Sequence, residues 1–304
     1  MILVTGVAGF IGAKVAESLI EAGETIVGVD DLSTSDLSNV PNDVIFENFD
    51  LADTQLVSKL EKHGNFKTIY HIAGQSGGEP SYDNPLQDLN SNTASTLNLL
   101  QLALKSPDCV FVYASTVSVY GKNGKTHLQN EHDLCRPESF YGVGKVASEN
   151  YLRIYAEQYG LKTRSLRLFN IYGPGQNLNN LRQGMVSIFI AQAINNGEII
   201  VKGSSDRYRD FVYIDDAVTA FKLASDYLAS GYFVFNISTG IKTTVKEVCS
   251  LIGDVPVKYS NPTPGDVHGW TGDFSRAKDL LGWVPKTSFS DGIAKMLEWA
   301  NNQQ

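Results

Sequence analysis

The chain has 304 residues, of which 42% are hydrophobic and 19% are charged, so it is long enough for one large α/β unit or two closely joined domains around a buried core. Its 25 basic and 33 acidic residues give a formal net charge of −8, which argues against a general nucleic-acid-binding or anionic membrane-binding surface. The three cysteines are far apart, as in reduced cytoplasmic proteins. No apolar run approaches the ~20 residues that a membrane-spanning helix needs, and "MILVTG" leaves no room for a signal peptide. We therefore expect a soluble, cytoplasmic protein without a membrane or nucleic-acid partner.

The predicted elements alternate between short apolar strands and helices over the first 168 residues. In chain order we expect a strand at 2–5, a helix at 10–22, strands at 26–29 and 44–49, a helix at 53–63, a strand at 68–72, a long helix at 85–105, a strand at 109–113, a second long helix at 140–159 and a strand at 164–168. This alternation predicts an α/β fold with a doubly wound parallel sheet, in which ligands bind outside the carboxyl ends of the strands.

The composition changes at Tyr172, where Gly, Pro and Asn cluster in "YGPGQNLNNLRQG" and the later elements become shorter. We interpret this change as the start of a smaller C-terminal substrate-binding domain. The predicted division is a dinucleotide-binding domain at 1–171, to which 210–238 returns, and a substrate domain made of 172–209 and 239–304.

The stretch "VTGVAGFIG" has Gly6, Gly9 and Gly12 between the first strand and the first helix. Glycines permit a tight turn there, and the amide groups and dipole of the helix N-terminus attract a pyrophosphate. Three glycines could also serve a purely structural turn. Their position in a strand–turn–helix unit at the start of the chain favours a dinucleotide site.

Acidic residues end the second and third predicted strands. Asp30, followed by Asp31, lies 18 residues beyond Gly12, where a carboxylate binds the adenine-ribose hydroxyls of NAD. The 2′-phosphate of NADP would meet these carboxylates with no Arg or Lys in the following "LSTSDL". The sequence therefore predicts NAD as cofactor. Asp50 is placed by the same topology to contact the adenine amino group.

"SFYGVGKVASEN" contains Tyr141 and Lys145, which are neighbours on one face of the second long helix. Such a pair is usually only a feature of a helix surface. Here it follows the nucleotide turn and a strand that ends in the hydroxyl residues Ser115 and Thr116 of "YASTVSVYG". An ammonium group one turn away and a positive nicotinamide ring would lower the pKa of Tyr141 and make it a base.

This order of motifs resembles the extended short-chain dehydrogenase/reductases, specifically the NAD-dependent sugar-nucleotide epimerases and dehydratases, and most of all their UDP-glucose 4-epimerase type. The resemblance covers nearly the whole chain and includes "HIAGQ", "RLFNIYGPGQ", "RYRDFVYIDD" and "PGD". It implies a nucleoside-diphosphate sugar as substrate and surface-polysaccharide precursor synthesis as the setting.

The resemblance also implies roles for individual residues. Thr116, with Ser115 beside it, would hydrogen-bond the reacting sugar oxygen, Tyr141 would act as the base, and Lys145 would bind the nicotinamide ribose. The cofactor-binding set becomes Gly6, Gly9, Phe10, Ile11, Gly12, Asp30, Asp31, Asp50, Leu51, Ala73, Gln75, Asn92, Tyr141 and Lys145. The substrate-binding set is Thr116, Asn170, Arg209, Asp266 and Trp270.

Two residues separate the activities within the resembling family. Dehydratases and decarboxylating members carry acidic residues directly after the catalytic Thr or Ser, whereas this chain has Val117 and Ser118. We therefore expect epimerisation at C4, with a dehydratase or 4-ketoreductase as the alternative. A regulatory NAD-sensing protein is a third possibility, but such a protein is expected to have lost the Tyr141–Lys145 pair.

The sequence departs from the family pattern before "PGD", where Thr263 replaces a phosphate-binding Arg and Arg207, Lys202 or His268 are the candidates to compensate. Trp270 falls where some epimerases have a smaller residue that admits an N-acetyl group, which favours an unacetylated hexose.

No histidines or cysteines have metal-ligand spacing, so we expect no metal, and His71 is interpreted as a packed core histidine. The two long helices are apolar on more than one face, and the resemblance implies that they pair across a two-fold axis in a homodimer.

Overall fold

The structure is a computed structural model that describes residues 1–122, 128–262 and 267–303. Its strands are β1 (Ile2–Thr5), β2 (Ile26–Asp30), β3 (Ile45–Asn48), β4 (Thr68–His71), β5 (Val110–Thr116), β6 (Lys162–Leu168), β7 (Asn170–Tyr172), β8 (Ile199–Lys202), β9 (Tyr208–Arg209), β10 (Phe211–Tyr213), β11 (Tyr232–Ile237), β12 (Thr243–Thr244) and β13 (Val257–Ser260). Its helices are α1 (Phe10–Glu21), α2 (Leu56–Glu61), α3 (Gly78–Asp83), α4 (Pro85–Leu89), α5 (Ser95–Ala103), α6 (Phe140–Tyr159), α7 (Met185–Asn196), α8 (Ile214–Asp226), α9 (Val245–Ile252), α10 (Ser275–Leu281) and α11 (Phe289–Asn301).

Within the described residues, seven strands form one sheet in the order β3–β2–β1–β4–β5–β6–β11, and every neighbouring pair is parallel. The chain starts in the middle with β1, winds outward to β3, and then winds the other way from β4 to β11. This order confirms the predicted doubly wound Rossmann sheet. The reversal at β1 and β4 opens a crevice at the carboxyl ends of these strands, where such sheets bind their ligands.

Helices cover both faces of the main sheet because successive strand residues point to opposite sides. Along β5, Val112 packs into the core beneath α1 and α8, whereas Phe111 and Tyr113 pack into the core beneath α2, α5 and α6. All of these side chains are fully buried. β5 is therefore apolar from Val110 to Ala114, as expected of a strand that is covered on both faces.

Helix α6 has the bounds that the sequence predicts. The hydroxyl of Ser139 accepts a hydrogen bond from the amide of Gly142 and caps the first turn, and Gly160 ends the helix in the left-handed conformation with φ 71°. The helix predicted at 85–105 is instead divided. A π-helical turn at Asn90–Ala94 separates α4 from α5, and such turns concentrate at functional sites.

The buried guanidinium of Arg164 helps to attach the edge strand β11 to the main sheet. Arg164 on β6 is fully buried, and its guanidinium donates to the backbone oxygens of Tyr227, Ala229 and Gly231 in the turn that precedes β11. Burial lowers the pKa of Arg164 to about 10, so the group stays charged at neutral pH. β11 then pairs with β6 over the whole of its length.

The remaining described strands form two-stranded pairs: β7 with β10, β8 with β13, and β9 with β12. Helix α7 packs against α9 and α11 in this region, close to the carboxyl end of the main sheet. The exact division into 1–171 with 210–238 and 172–209 with 239–304 stays a prediction. No helix in the described part of the chain is long and apolar enough to cross a membrane.

Candidate active site

The turn between β1 and α1 is built around glycines that no larger residue could replace without a shift of the backbone. Gly6 has φ +70°, and a Cβ atom on Gly12 would lie 1.9 Å from the carbonyl oxygen of Gly6. The amide of Gly6 donates to Val29 at the end of β2, at 2.8 Å. The first turn of α1, whose amide groups have no partner within the helix, consequently faces the groove at the strand ends.

The carboxylate of Asp30 is held beside this turn at the end of β2. Its Oδ2 accepts from the amide of Ala8 at 3.0 Å and its Oδ1 accepts from the amide of Leu32 at 2.9 Å. Burial raises the pKa of Asp30, and the two amides oppose the rise. None of the described residues that line the groove is Lys, Arg or His. The described lining of the groove thus holds a carboxylate that could accept hydrogen bonds from ribose hydroxyls and no cation for a 2′-phosphate, which fits NAD.

Eleven residues of the predicted cofactor set line this one groove: Gly6, Gly9, Phe10, Ile11, Gly12, Asp30, Asp31, Asp50, Leu51, Ala73 and Gln75. Asn92 lies behind the groove in the π-helical turn and is fully buried. Its amide donates to the carbonyl oxygen of Gln75 at 3.1 Å, and its Oδ1 has no hydrogen-bond partner in the structure. A Cβ atom on Gly74 would lie 2.4 Å from that Oδ1.

A second pocket continues the groove, because both are lined by Phe10, Gly74 and Gln183. Tyr141 and Lys145 line this pocket from α6. Lys145 is 3% exposed, and its Nζ donates to the carbonyl oxygen of Ala114 at 2.9 Å. Burial lowers the pKa of Lys145 to about 8, while the carboxylates of nearby residues act against that shift.

The pKa of the Tyr141 phenol is raised by the protein's own groups, whereas a base needs a lowered pKa. Among the chain's own groups, burial raises the pKa of Tyr141 to about 12, and a hydrogen bond with Thr116 acts in the opposite direction. The Nζ of Lys145, which donates to Ala114, lies 4.7 Å from the ring centroid of Tyr113 and 5.7 Å from that of Tyr141, and the lowering expected from its charge together with the nicotinamide ring stays a prediction. The hydroxyl of Thr116 is the closer influence on Tyr141.

Ser115 and Thr116 are adjacent in β5 and therefore point to opposite faces of the sheet. Thr116 lies on the side of the Tyr141 phenol, and its Oγ1 accepts from the amide of Ser118 at 3.2 Å. Ser115 is 2% exposed, and its hydroxyl donates to the carboxylate of Glu149 at 2.6 Å. Ser115 also lines the pocket, so its hydrogen bond to Glu149 adds a supporting contact, and the catalytic role expected of it beside Thr116 stays a prediction.

Ser115 belongs to a buried polar network that the sequence analysis missed. Glu149 on α6 accepts from Nε of Arg167 at 3.0 Å and from its Nη2 at 2.7 Å, and Arg167 also donates to the phenol of Tyr120. The phenol of Tyr120 donates in turn to Asn236 on β11. The side chains of Glu149 and Arg167 are each 6% exposed, so their opposite charges balance each other within the core. Their contacts, together with Ser115, hold α6 against β5 and β6.

The predicted substrate residues divide between the pocket and its surroundings. Asn170 and Trp270 line the pocket with Thr116. The indole Nε1 of Trp270 donates to the carbonyl oxygen of Gly121 at 2.9 Å, and the guanidinium of Arg209 lies 5.3 Å from the indole centroid. Arg209 is directed at the backbone oxygens of Val267 and His268. Asp266 and Thr263 lie outside the described residues.

Gln176 and Gln183 line the pocket, although the sequence analysis gave them no role. Both fall in the polar stretch after β7, where the cluster of Gly, Pro and Asn indicated a loop without singling out either glutamine. Within 1–122, 128–262 and 267–303, no group of three or more His, Cys, Asp or Glu residues could hold a metal ion. His71 is fully buried between Thr5 and Thr96, with ring nitrogens 3.0 Å from each hydroxyl, as expected of a core histidine.

A glycine turn with a carboxylate at the end of β2, joined to a pocket lined by a threonine, a tyrosine and a lysine, is typical of a dinucleotide-dependent enzyme that removes a proton and a hydride from a hydroxyl-bearing carbon. Comparison with known proteins agrees with this class. The model of the "NAD dependent epimerase/dehydratase family" matches residues 2–238. A putative UDP-glucose 4-epimerase of Methanocaldococcus jannaschii is 32% identical over 99% of this chain and 99% of its own.

Solved structures and more distant relatives give the same family. The crystal structure of a UDP-glucose 4-epimerase from Thermotoga maritima with UDP-glucose superposes with a TM-score of 0.95, at 34% identity and 99% coverage of both chains. A UDP-glucuronic acid decarboxylase 1 of Xenopus tropicalis is 30% identical over 99% of this chain and 74% of its own. The chain belongs to the NAD-dependent epimerase/dehydratase family, and its cofactor is NAD.

Proposed function

We propose that this protein epimerises nucleoside-diphosphate hexoses at C4 through a transient 4-keto sugar, with UDP-glucose and UDP-galactose as its substrate pair. The proposal of a UDP-sugar is supported by the names of the relatives, which include UDP-glucose 4-epimerases that match over nearly their entire length. Because a decarboxylase is also among the relatives, the choice of reaction depends on the pocket itself.

The observation that carries the choice is the absence of acidic and imidazole side chains from the described lining of the pocket. Elimination or decarboxylation at the keto sugar needs a further acid or base beside the reacting carbon. The positions that follow Thr116 hold Val117, which is 5% exposed, and Ser118, whose hydroxyl lies 3.3 Å from that of Thr116. An epimerase needs no group there, because the ketone takes back its hydride on the other face.

Tyr141 and Thr116 supply the proton transfer. When bound, NAD accepts the hydride from C4 and returns it. The phenolate of Tyr141 takes the proton of the 4-hydroxyl and gives it back to the same oxygen after the keto sugar has turned to present the other face of C4, and the hydroxyl of Thr116 holds that oxygen during both proton transfers. Lys145 supplies a positive charge beside the phenol, and its bond to Ala114 fixes the ammonium group at the end of β5.

Trp270 and the charges of the pocket favour a neutral, unacetylated hexose. The indole is fixed by its hydrogen bond to Gly121 and fills the side of the pocket next to Arg209. Lys145 is the single cation among the described residues that line the pocket, and it is bound to a backbone oxygen. A hexuronic acid would therefore find no arginine or free lysine for its carboxylate in this part of the chain.

We further propose that the protein works in the cytoplasm as a homodimer formed by its apolar helix face, which consists of Tyr82, Leu86, Leu89, Phe140 and Val143. These residues are 39–75% exposed, and the ring centroids of Tyr82 and Phe140 are 5.6 Å apart, so α3, α4 and α6 present one continuous surface. Large exposed apolar patches of this kind mark interfaces.

The proposal is tested by incubating the purified protein with UDP-glucose, with UDP-galactose and with their N-acetyl and uronic acid counterparts, followed by separation of the isomers. We expect the two hexoses to interconvert without net NADH formation. The Tyr141→Phe variant should keep its bound cofactor and lose turnover. Accumulation of a 4-keto-6-deoxy sugar would instead assign the protein to the dehydratases.

A further inference from the structure

The cofactor groove and the substrate pocket meet at a junction. Among the described residues, the junction is formed by those that line both cavities: Phe10, Ile11, Ile72, Gly74, Ser76 and Gln183. Asp30 lies in the groove on one side of the junction, and Tyr141 lies in the pocket on the other side. A dinucleotide that places its adenine ribose at Asp30 and its nicotinamide at Tyr141 therefore has to pass through the junction.

A hydrogen bond ties two separate segments together at this junction. Nε2 of Gln183 donates to Oγ of Ser76 at 2.7 Å, and both residues are exposed. Ser76 lies in the loop after β4, whereas Gln183 lies in residues 173–184, the connection between β7 and α7, which we call the strap. The strap is therefore bound to the loop after β4 at the place that the dinucleotide has to pass.

An ion pair attaches the strap a second time. Arg182, the neighbour of Gln183, lies 2.6 Å from the carboxylate of Asp83 at the end of α3. Helix α3 is itself fixed, because the ring of Tyr82 packs against Phe140 of α6 with their centroids 5.6 Å apart. Two consecutive residues of the strap thus bind to the segment that follows β4.

The attachment is of a kind that can open without unfolding the sheet. Gly173 and Gly184 bound the strap with φ angles of +148° and +89°, which other residues rarely adopt. Segments that close over ligands turn about a few such residues at their ends. The side chains of Arg182 and Asp83 are 51% and 63% exposed, so their attraction is weakened by solvent and salt.

We propose that the strap is part of the NAD site: the Ser76–Gln183 hydrogen bond and the Asp83–Arg182 ion pair close it over the middle of the bound dinucleotide and slow the release of NAD. Retention suits a reaction that returns its hydride, because each turnover ends with the cofactor in its starting form. The inference goes beyond the proposed function, since it concerns the cofactor alone and holds for any sugar substrate.

The hydrogen bond is tested by a double-mutant cycle on NAD release. Protein loaded with radiolabelled NAD is mixed with excess unlabelled NAD, and the label that stays bound is followed by rapid filtration. We expect Ser76→Ala and Gln183→Ala each to release NAD about fivefold faster. The double variant should be no faster than either single one, because both remove the same bond. Unchanged rates, or effects that multiply in the double variant, overturn the inference.

The ion pair is tested by exchanging its charges. Arg182→Glu and Asp83→Arg should each accelerate NAD release, and the combined variant should restore retention because the opposite charges are again adjacent. The matched control is Arg153→Glu, since Arg153 pairs with Glu157 at 2.8 Å, with exposures of 43% and 51%, and lines neither cavity. Its release rate should equal that of the wild type. A charge exchange that fails to restore retention contradicts the proposed closure.

The wild-type protein supplies a measurement that needs no variant to fold. Because salt screens the exposed ion pair, NAD release should become faster as the ionic strength rises. A release rate that is independent of salt counts against the strap. All of these measurements use NAD without a sugar, so a protein that fails to epimerise UDP-glucose contradicts the proposed function alone.

Discussion

Ser115 and Thr116 at the end of β5 have different hydrogen-bond partners, because successive side chains of a strand point to opposite faces of the sheet. Thr116 hydrogen-bonds the Tyr141 phenol on the side of the pocket, and Ser115 donates to Glu149 in the core. Both are buried, at 7% and 2% exposure, so accessibility alone would not separate them. What separates them is the partner that each side of the strand offers.

This difference predicts opposite effects for two conservative substitutions. Thr116→Val removes the hydroxyl that holds the reacting oxygen and should lower kcat/KM about 100-fold with little loss of stability. Ser115→Ala removes a donor to Glu149 and should lower the free energy of unfolding by about 1 kcal/mol while kcat/KM stays within about twofold. Steady-state kinetics and urea denaturation of the same preparations measure both. Loss of activity in Ser115→Ala with Thr116→Val active would reverse our assignment.

At the scale of the element, the turn between β1 and α1 and the helix α6 fix the two halves of the site. Gly12 sits against the carbonyl of Gly6 at a distance that excludes a Cβ atom, and Gly9 has more room, with a Cβ atom 3.2 Å from the same oxygen. The pyrophosphate needs the close backbone approach that the absence of side chains provides.

Substitution of the two glycines should therefore weaken NAD binding to different degrees. Gly12→Ala should separate α1 from the turn and reduce NAD binding by more than Gly9→Ala, which needs a movement of only a few tenths of an ångström. Isothermal titration with NAD on protein stripped of cofactor gives the ratio of the two dissociation constants. Equal affinities would show that the turn is not where the pyrophosphate binds.

Local signals explain which elements the sequence could predict. Helix α6 was predicted with its observed bounds because Ser139 and Gly160 mark its ends chemically. The helix at 85–105 was predicted as continuous because no glycine or proline interrupts it after Pro85, and no residue type announces a π-helical turn.

The same limit applies to the site. The glycines, Asp30, Tyr141 and Lys145 have recognisable spacing, and the structure brings them to one cleft. The pairing of Glu149 with Arg167 and the hydrogen bond between Ser76 and Gln183 depend on how separate elements pack. Such contacts have no signature within a short stretch of sequence, so neither could be predicted.

At the scale of the whole molecule, the exposed apolar helix face is the feature on which the proposed homodimer depends. Leu86 is 75% exposed and Val143 is 54% exposed on adjacent helices, although each would be favoured in a buried position.

We expect Leu86→Asp combined with Val143→Asp to convert a dimer into a monomer of unchanged fold, because two charges would be buried at the interface. Sedimentation velocity at micromolar concentration measures the mass, and circular dichroism checks the fold. Leu228→Asp, an equally apolar and 64% exposed position outside the apolar helix face, is the control and should remain dimeric. A monomeric wild-type protein would contradict the proposed interface.

The central claim is that one cofactor molecule takes a hydride from C4 and returns it to the opposite face of the same sugar. It is tested most directly with UDP-glucose that carries deuterium at C4 and 13C elsewhere in the ring, mixed with unlabelled UDP-glucose and analysed by mass spectrometry and NMR after epimerisation. We expect UDP-galactose in which deuterium remains at C4 of the 13C-labelled molecules, with no transfer to unlabelled ones and no loss to solvent. Loss of the deuterium, or a product with altered C5 or C6, would contradict epimerisation through a 4-keto sugar that never leaves the site.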